Sequence, residues 1–353
     1  MTVRLLLITG AGASHRLSLI EDEPLPLMHD WALRLRAKIG PGFSSMTGLS
    51  GATDGVEFEE TLGALFRWSD SLVDIERFRL MCKEKPDQNN HYPDIFSQAV
   101  GNARHNMGSF QGRLHESLFD EFGPERVDAD KAVSAYRTLF EALGLSGEVL
   151  PDQLVCATTN YDRSLEMALA ELTGSVRTGF VMQAFRSSVL EPLGLGAFQT
   201  NEPALLYLHG AVGWYRQQGS IISMPADQGF NPTLGTPAVL YPSPEKDIQR
   251  SETVQLWDEF RKAVSEATHI LVLGHALNDA HLVRELRTAP GQLAVTFYAP
   301  GPIASGEALD RSDQDAKRIK KLLPTAVPIG VSFAADCRIH SDPVARWRAA
   351  AAA

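Results

Sequence analysis

The chain has 353 residues, of which 44% are hydrophobic and 22% charged, a composition typical of a soluble globular protein. Its net charge of -10 argues against a general binder of the nucleic-acid backbone, because such proteins carry a basic face. The chain has no apolar run long enough to predict a membrane span. Its three cysteines lie too far apart for a disulfide framework or a CxxC metal site, which favours a reducing, cytoplasmic location.

The first predicted strand covers residues 3–9 and leads into a turn of small residues, namely Gly10, Ala11, Gly12, Ala13 and Ser14. Small residues let a backbone approach a ligand closely, and amides at a helix N-terminus attract phosphate. No third glycine follows at the spacing of a dinucleotide-binding fingerprint. The pattern is typical of a phosphate-binding turn or of a tight strand–helix connection, and its place on the first strand favours the phosphate site.

A mainly helical module is predicted after this turn. Residues 16–27 are polar and proline-containing, which predicts a loop and leaves open whether it closes over a ligand. Apolar residues then recur at helical spacing over 28–39 and through much of 56–145. The expected domains are residues 1–19 with 151–335 as a nucleotide-binding domain, residues 20–150 as the inserted module, and residues 336–353 as a tail.

The predicted sheet is organised around the stretch from Leu154 to Asp162. Residues 154–158 form a short apolar, β-branched run, as expected for a buried parallel strand. Thr159, Asn160 and Asp162 follow at its end, where the apolar period changes to that of a helix. Asp162 is a natural N-cap for this helix. Its carboxylate can therefore serve the helix or a ligand, and the pattern does not decide between the two.

Two further apolar strands also end in polar residues. Residues 204–208 lead into His209, and residues 269–273 lead into Gly274, with Asn278 or Asp279 expected to cap the next helix. The other predicted elements are short strands at 180–182, 214–215 and 221–223, a helix at 254–267, a strand at 293–298, a helix at 316–323 and a strand at 326–333. The fold class is α/β, with a doubly wound, mainly parallel sheet. All four polar strand ends then lie at one edge, where ligands bind in such sheets.

The four strand ends, in this order, resemble the sirtuin-like superfamily, in the branch that cleaves NAD in bacterial anti-phage defence. The resemblance covers the sheet from Val3 to about Phe297 and implies a Rossmann-like NAD-binding domain. It implies that Asn160 and His209 are catalytic, the latter within a leucine-histidine-glycine turn. The residues implied to bind NAD are Gly10, Ala11, Gly12, Ala13, Ser14, Thr159, Asp162, Gly274, His275, Asn278 and Asp279. Of these, His275 stands where the family usually has a small or hydroxyl residue.

The chemistry of NAD cleavage suits these residue types. Nicotinamide leaves as a neutral group, so cleavage needs no acid and passes through an oxocarbenium-like state, as in other glycoside cleavages. A neutral imidazole near its unperturbed pKa of about 6.5 can accept a proton from the attacking water. Asn160 can orient that water or a ribose hydroxyl.

The absence of any CxxC pair distinguishes this chain from the deacylases of the superfamily, which carry a zinc module with two such pairs. The resemblance therefore implies an NAD+ glycohydrolase without a metal, which would deplete NAD in an infected cell. Such an enzyme has to be gated, so we expect a homo-oligomer or a separate partner protein, a sensor or an ATPase, with a HerA-type ATPase as one candidate. No direct binding to nucleic acid or to a membrane is expected. A zinc-less NAD-dependent deacylase and a non-catalytic NAD or ADP-ribose-binding regulatory subunit remain open alternatives.

Overall fold

The computed structural model describes residues 4–20, 23–39, 60–65, 67–68, 71–72, 74–75, 94–143, 154–182, 188–191, 194–198, 202–217, 220–224, 231–234, 236–241, 253–298, 306–332 and 338–339. The predicted C-terminal tail lies outside the described residues except for 338–339. Cys82 and Cys337 also lie outside them.

Besides the helical residues described between 60 and 75, the α-helices of this part of the chain are α1 (Ala11–Ser14), α2 (Met28–Ile39), α3 (Asp94–Phe122), α4 (Ala129–Ala142), α5 (Ser164–Thr173), α6 (Val254–Glu266), α7 (Ala280–Arg287) and α8 (Gly306–Leu322). The strands are β1 (Leu5–Thr9), β2 (Leu154–Thr158), β3 (Phe180–Met182), β4 (Ser188–Leu190), β5 (Ala204–Tyr207), β6 (Trp214–Gln217), β7 (Ser220–Ser223), β8 (Thr236–Pro237), β9 (His269–Leu273), β10 (Gln292–Tyr298), β11 (Val327–Ser332) and β12 (Arg338–Ile339). Where residues 60–75 are described, they are helical, as predicted for the inserted module.

A seven-stranded sheet in the order β12-β11-β10-β9-β1-β2-β5 forms the centre of the fold. Six of its strands are parallel, and β12 alone runs antiparallel, beside β11. Every residue of β1, β2, β5 and β9 is buried, which explains why these strands are almost continuously apolar rather than alternating. The predicted α/β class with a doubly wound, mainly parallel sheet is therefore confirmed, and the fold is Rossmann-like.

The strand order reverses direction between β1 and β9. From β1 the chain adds β2 and then β5 on one side, and it returns to add β9, β10 and β11 on the other. Read in chain order, the parallel strands lie third, second, first, fourth, fifth, sixth across the sheet, as in dinucleotide-binding domains. In open α/β sheets, ligands bind outside the carboxyl ends of the strands at such a reversal. This places the predicted ligand edge beside the ends of β1 and β9.

A second sheet, with five antiparallel strands in the order β3-β4-β7-β6-β8, is formed by the excursion between α5 and α6. The expected strands at 180–182, 214–215 and 221–223 are among its members, whereas β4 and β8 were not predicted. Trp214 and Tyr215 on β6 are buried and contribute to its packing.

The core on the parallel sheet includes helix α4, because Tyr136, Leu139 and Phe140 pack into the same apolar cluster as β1 and β2. Cys156 lies at the centre of β2 and is fully buried, and this burial raises the pKa of its thiol. Its expected role as a small core residue is confirmed.

The chain divides into two compact units. The first contains residues 1–27, 120–240 and 247–353, and the second contains residues 28–119 and 241–246. In the second unit, the indole nitrogen of Trp31 donates to Ser117 Oγ at 3.1 Å. The first unit resumes at residue 120 rather than at the expected 151, because α4 buries its apolar face in the core of the sheet. None of the helices in the described ranges is long and apolar enough to cross a membrane.

Candidate active site

The carboxyl ends of four neighbouring strands, β9, β1, β2 and β5, are joined by backbone hydrogen bonds. Gly10 N–H donates to Leu273 O at 2.9 Å, Thr159 N–H to Thr9 O at 3.1 Å, and Leu208 N–H to Thr158 O at 2.9 Å. The four polar strand ends are therefore adjacent along one edge of the sheet. This is the arrangement that the sequence predicted for a ligand site.

The turn after β1 packs directly on the turn after β9. Gly12 N–H donates to Gly274 O at 2.9 Å, and a Cβ at Gly12 would lie 2.9 Å from that same oxygen. Gly274 has φ +61°, and a Cβ there would lie 2.3 Å from Ala13 N. Both glycines are thus required by the contact between two backbones. The amides of Gly10, Gly12 and Ala13 donate within the protein, so the role of residues 10–14 in holding phosphates stays a prediction.

The side chain of Asn160 is fixed by a directional chain of hydrogen bonds. Its Nδ2 donates to Gly10 O and to Ser14 Oγ, both at 3.0 Å, and Ser14 Oγ donates to Asp162 Oδ2 at 2.7 Å. A carbonyl and a carboxylate can only accept, so the direction of every bond in the chain is determined. The orientation of the Asn160 amide follows without ambiguity, and both of its hydrogens are committed.

The other end of this amide is an unsatisfied acceptor. Asn160 is 7% exposed, and its Oδ1 has no hydrogen-bond partner among the described residues. A buried polar atom without a partner costs about 1–3 kcal/mol, and such atoms are rare in folded proteins. Asn160 Oδ1 is therefore a fixed, buried hydrogen-bond acceptor close to the predicted ligand edge.

Asp162 and Thr159 both bond to neighbouring protein groups. Asp162 Oδ1 accepts from the N–H of Ser164 at 3.0 Å, at the start of α5, while Oδ2 accepts from Ser14. Asp162 was predicted as the N-cap of this helix, but the N-cap position is Arg163, and Asp162 bonds the first helical N–H from the residue before it. A contact of its carboxylate with NAD stays a prediction. Thr159 Oγ1 donates to Thr9 O at 3.4 Å, which ties the end of β2 back to β1.

His209 lies on the turn after β5, buried against α6 and α7. Its Nε2 lies 2.9 Å from Asp279 Oδ2, and the two side chains are 7% and 4% exposed. Asp279 Oδ1 also caps α7 by accepting from the N–H groups of His281 at 3.0 Å and Leu282 at 3.2 Å. The structure therefore brings His209 together with Asp279, a residue that the resemblance assigned to NAD binding.

Two residues of the α6 region, which the sequence did not single out, hold the backbone before His209. Thr253 Oγ1 and Trp257 Nε1 each donate to Leu208 O at 3.0 Å. The centre of the Trp257 ring lies 6.4 Å from that of His209. The signal for Trp257 was only its place on an apolar helix face, although a buried indole N–H usually requires an acceptor.

The strand register relates Asn160 to His209. Thr158 on β2 pairs with Tyr207 on β5, so each of the two predicted catalytic residues stands two positions beyond the last paired residue of its strand. The connection continues past them, since Val212 N–H donates to Tyr161 O at 2.9 Å. Asn160 and His209 are therefore carried by adjacent, hydrogen-bonded turns.

A half-buried polar cluster connects the end of β5 to the start of α5. Tyr207 OH donates to Glu166 Oε2 at 2.9 Å, and Arg163 forms an ion pair with the same carboxylate. Burial raises the pKa of Tyr207, and the negative charge of Glu166 adds to this shift. Tyr207 is therefore a neutral phenol that donates to Glu166, which fixes the start of α5 to the end of β5.

The predicted site residues on the turn after β9 lie in different environments. His275 Nδ1 accepts from Leu277 N–H at 2.8 Å, and Leu277 has the left-handed φ of 55°, unusual for a leucine. Asn278 is exposed, and its Oδ1 accepts from Arg318 of α8 at 2.7 Å. Nothing in the sequence pointed to Arg318, because it belongs to a helix outside the predicted site.

The loop at 16–27, considered as a lid, is tied to the first unit where it is described. His15 Nδ1 contacts Leu25 O at 2.7 Å, and Leu25 N–H donates back to His15 O at 3.0 Å. Leu19 N–H donates to Arg126 O at 2.8 Å, and Asp128 N–H donates to Leu17 O at 2.8 Å. In this conformation the loop is anchored at both ends.

Comparison with known proteins gave no match: neither protein-family models nor curated proteins resemble this chain closely enough to identify a relative. Within the described ranges, no group of three or more histidine, cysteine, aspartate or glutamate side chains is arranged to hold a metal ion.

Proposed function

We propose that this chain is an NAD+ glycohydrolase that produces nicotinamide and ADP-ribose. The observation that carries the proposal is the buried, unsatisfied Oδ1 of Asn160 at the carboxyl edge of a doubly wound sheet. Its position beside the turn of His209 supports the site assigned by resemblance to the sirtuin-like superfamily. The fold also supports a dinucleotide substrate, since its strand order is that of dinucleotide-binding domains.

In the proposed reaction, the bond between the nicotinamide nitrogen and C1′ of the ribose breaks, and its electron pair goes to the pyridinium nitrogen. Water forms the new bond to C1′, and its proton passes to His209. Because both hydrogens of the Asn160 amide are already used, this side chain acts only as an acceptor, from the attacking water or a ribose hydroxyl. Asn160 therefore orients the water or the ribose hydroxyl, and the imidazole of His209 acts as the base.

The biological part of the proposal rests on the resemblance alone. NAD depletion during phage infection would kill the host cell, so the activity is proposed to be gated by oligomerisation or by a partner sensor or ATPase. The purified protein is the simplest starting point for a test, and toxicity on expression offers a second readout.

The test is incubation of the purified protein with NAD+, with nicotinamide and ADP-ribose followed by chromatography. The parent is expected to release both products, and Asn160→Ala and His209→Ala are each expected to lower kcat by about 100-fold or more. Asn102→Ala and His105→Ala, both at exposed positions of α3, are the matched controls and should keep parental activity. Growth and the NAD content of cells expressing each variant are measured in parallel, because a gated enzyme can be silent when purified.

Other outcomes distinguish the alternatives. Equal turnover by the parent and both site variants would mean that the site is elsewhere. Release of nicotinamide only in the presence of an acyl-lysine peptide would identify a deacylase. Tight nucleotide binding, with no turnover by the purified protein and no toxicity in cells, would identify a regulatory subunit.

A further inference from the structure

We infer that Asp279 is a positioning residue that sets the tautomer of His209, so that Nδ1 is the nitrogen that takes the proton. The inference rests on the proposed function, because it explains how His209 serves as the base. It moves Asp279 from the nucleotide-binding set to a role exerted through the imidazole.

The direction of the contact follows from the chemistry of its two partners. Nε2 of His209 lies 2.9 Å from Oδ2 of Asp279, and both side chains are almost fully buried. A carboxylate has no proton to donate, so the hydrogen in this bond belongs to Nε2. In a neutral imidazole only one nitrogen carries a hydrogen, which leaves the basic lone pair on Nδ1. A buried, charge-assisted hydrogen bond holds this tautomer firmly.

Asp279 is itself fixed in place by the fold. Its Oδ1 accepts from two backbone N–H groups at the start of α7, those of His281 and Leu282. The two oxygens therefore have separate tasks: Oδ1 caps the helix and Oδ2 orients the ring. Trp257 and Thr253 fix the peptide before His209 from the other side. The imidazole is thus held by elements that are distant in sequence and rigid in the fold.

The separate tasks of the two oxygens permit a substitution that changes only one of them. In Asp279→Asn, the amide oxygen can keep the helix cap, because asparagine is as good an N-cap as aspartate. The amide nitrogen then replaces Oδ2 and donates to Nε2, which forces the hydrogen onto Nδ1. An imidazole in that tautomer has no lone pair at the position where the base is needed. The equivalent change in the serine protease triad lowers kcat by about 10,000-fold.

The first measurement compares steady-state kinetics of the parent and Asp279→Asn on NAD+. We expect kcat to fall by about 100-fold or more, with a nearly unchanged KM and an unchanged far-UV spectrum. Asp128→Asn is the matched control, since Asp128 caps α4 by accepting from Lys131 N–H at 3.0 Å, and it should keep parental kcat. A raised KM for NAD+ with parental kcat would instead place Asp279 against the nucleotide and overturn the inference.

The second measurement does not need turnover. Long-range ¹H–¹⁵N correlation spectra of the protein with ¹⁵N-labelled histidine report which ring nitrogen is protonated, and His209→Gln assigns the signals. We expect protonation at Nε2 in the parent and at Nδ1 in Asp279→Asn. Protonation of His209 at Nδ1 in the parent would overturn the inference even if NAD+ is cleaved. An Nε2–H tautomer in a parent that cleaves no NAD+, either when purified or in expressing cells, would support the pairing while removing the proposed function.

Discussion

At the scale of single residues, the site depends on the polarity of one hydrogen-bond chain. Ser14 has a single hydroxyl hydrogen, which it donates to the carboxylate of Asp162, so Ser14 can only accept from Asn160. Ser14 was predicted as part of a phosphate-binding turn, but in the structure it connects two other predicted site residues. Ser14 is only 2% exposed, so water does not readily replace the hydrogen bonds of its hydroxyl.

Removing this hydroxyl should affect both stability and activity. In Ser14→Ala, Asn160 Nδ2 and Asp162 Oδ2 each lose a buried partner, so we expect the free energy of unfolding to fall by about 1–3 kcal/mol. Activity on NAD+ should fall as well, because the Asn160 amide loses one of its two anchors. Urea denaturation measures the first effect, with Ser265→Ala as control. Ser265 is exposed and bonds to Lys262 O at 2.8 Å, so its loss should cost less than about 0.5 kcal/mol. Equal costs at the two positions would contradict the buried chain.

At the scale of elements, the turns after β1 and β9 are in direct backbone contact and are joined by a hydrogen bond. Their contact closes the edge of the sheet at the point where the strand order reverses. The strained backbone of Leu277 belongs to the same turn, and strain of this kind persists only where the surrounding structure enforces it. The precision of the ligand edge therefore depends on backbone packing more than on side chains.

A pair of glycine substitutions tests this packing. Gly174 at the end of α5 has φ +79° with open space around a Cβ, so Gly174→Ala should cost only the backbone strain, about 1–2 kcal/mol. Gly274→Ala should cost more than about 4 kcal/mol or prevent folding, because its Cβ would also collide with Ala13 N. The comparison is made by urea denaturation. Similar costs for the two variants would mean that the turns can separate without loss.

At the scale of the whole molecule, the sequence was sufficient to predict the α/β class and the buried strands, since apolar runs ending in glycine or polar residues are typical of parallel sheets. It could not predict how side chains pair across the fold. His209 and Asp279 are 70 positions apart, and Ser14 and Asp162 are 148 apart. These contacts depend on which strands become neighbours and on the path of α6 and α7. The packing of α4 into the sheet, which moved the boundary of the first unit to residue 120, has the same cause.

The stability of the molecule should depend on pH through a histidine outside the candidate site. His115 in the second unit is buried beside Tyr241, and burial lowers its pKa to about 4. In the unfolded chain its pKa is about 6.5, so between these values the unfolded state binds more protons. Stability is then complete above about pH 6.5 and falls on acidification by about 1.4 kcal/mol per unit until about pH 4.

Urea denaturation across this range measures the effect by difference. His115→Gln should remove a loss of about 3 kcal/mol that the parent shows between neutral pH and about pH 4. His105→Gln, at an exposed position of the same helix, should retain the parental pH dependence. If the parent and His115→Gln lose stability in parallel, His115 is protonated without penalty in the folded state.

The hydrogen-bond chain that ends at Asn160 also selects ligand groups by whether they can donate a hydrogen bond. Oδ1 can pair with a group that brings its own hydrogen, such as a sugar alcohol or a water molecule, but an ionised phosphate or carboxylate has none to offer. A dinucleotide placed along this edge would therefore bring a ribose hydroxyl, rather than its diphosphate, to Asn160. The choice between sugar and phosphate at this position is thus set by the two hydrogen bonds that hold the amide nitrogen, to Gly10 O and Ser14 Oγ.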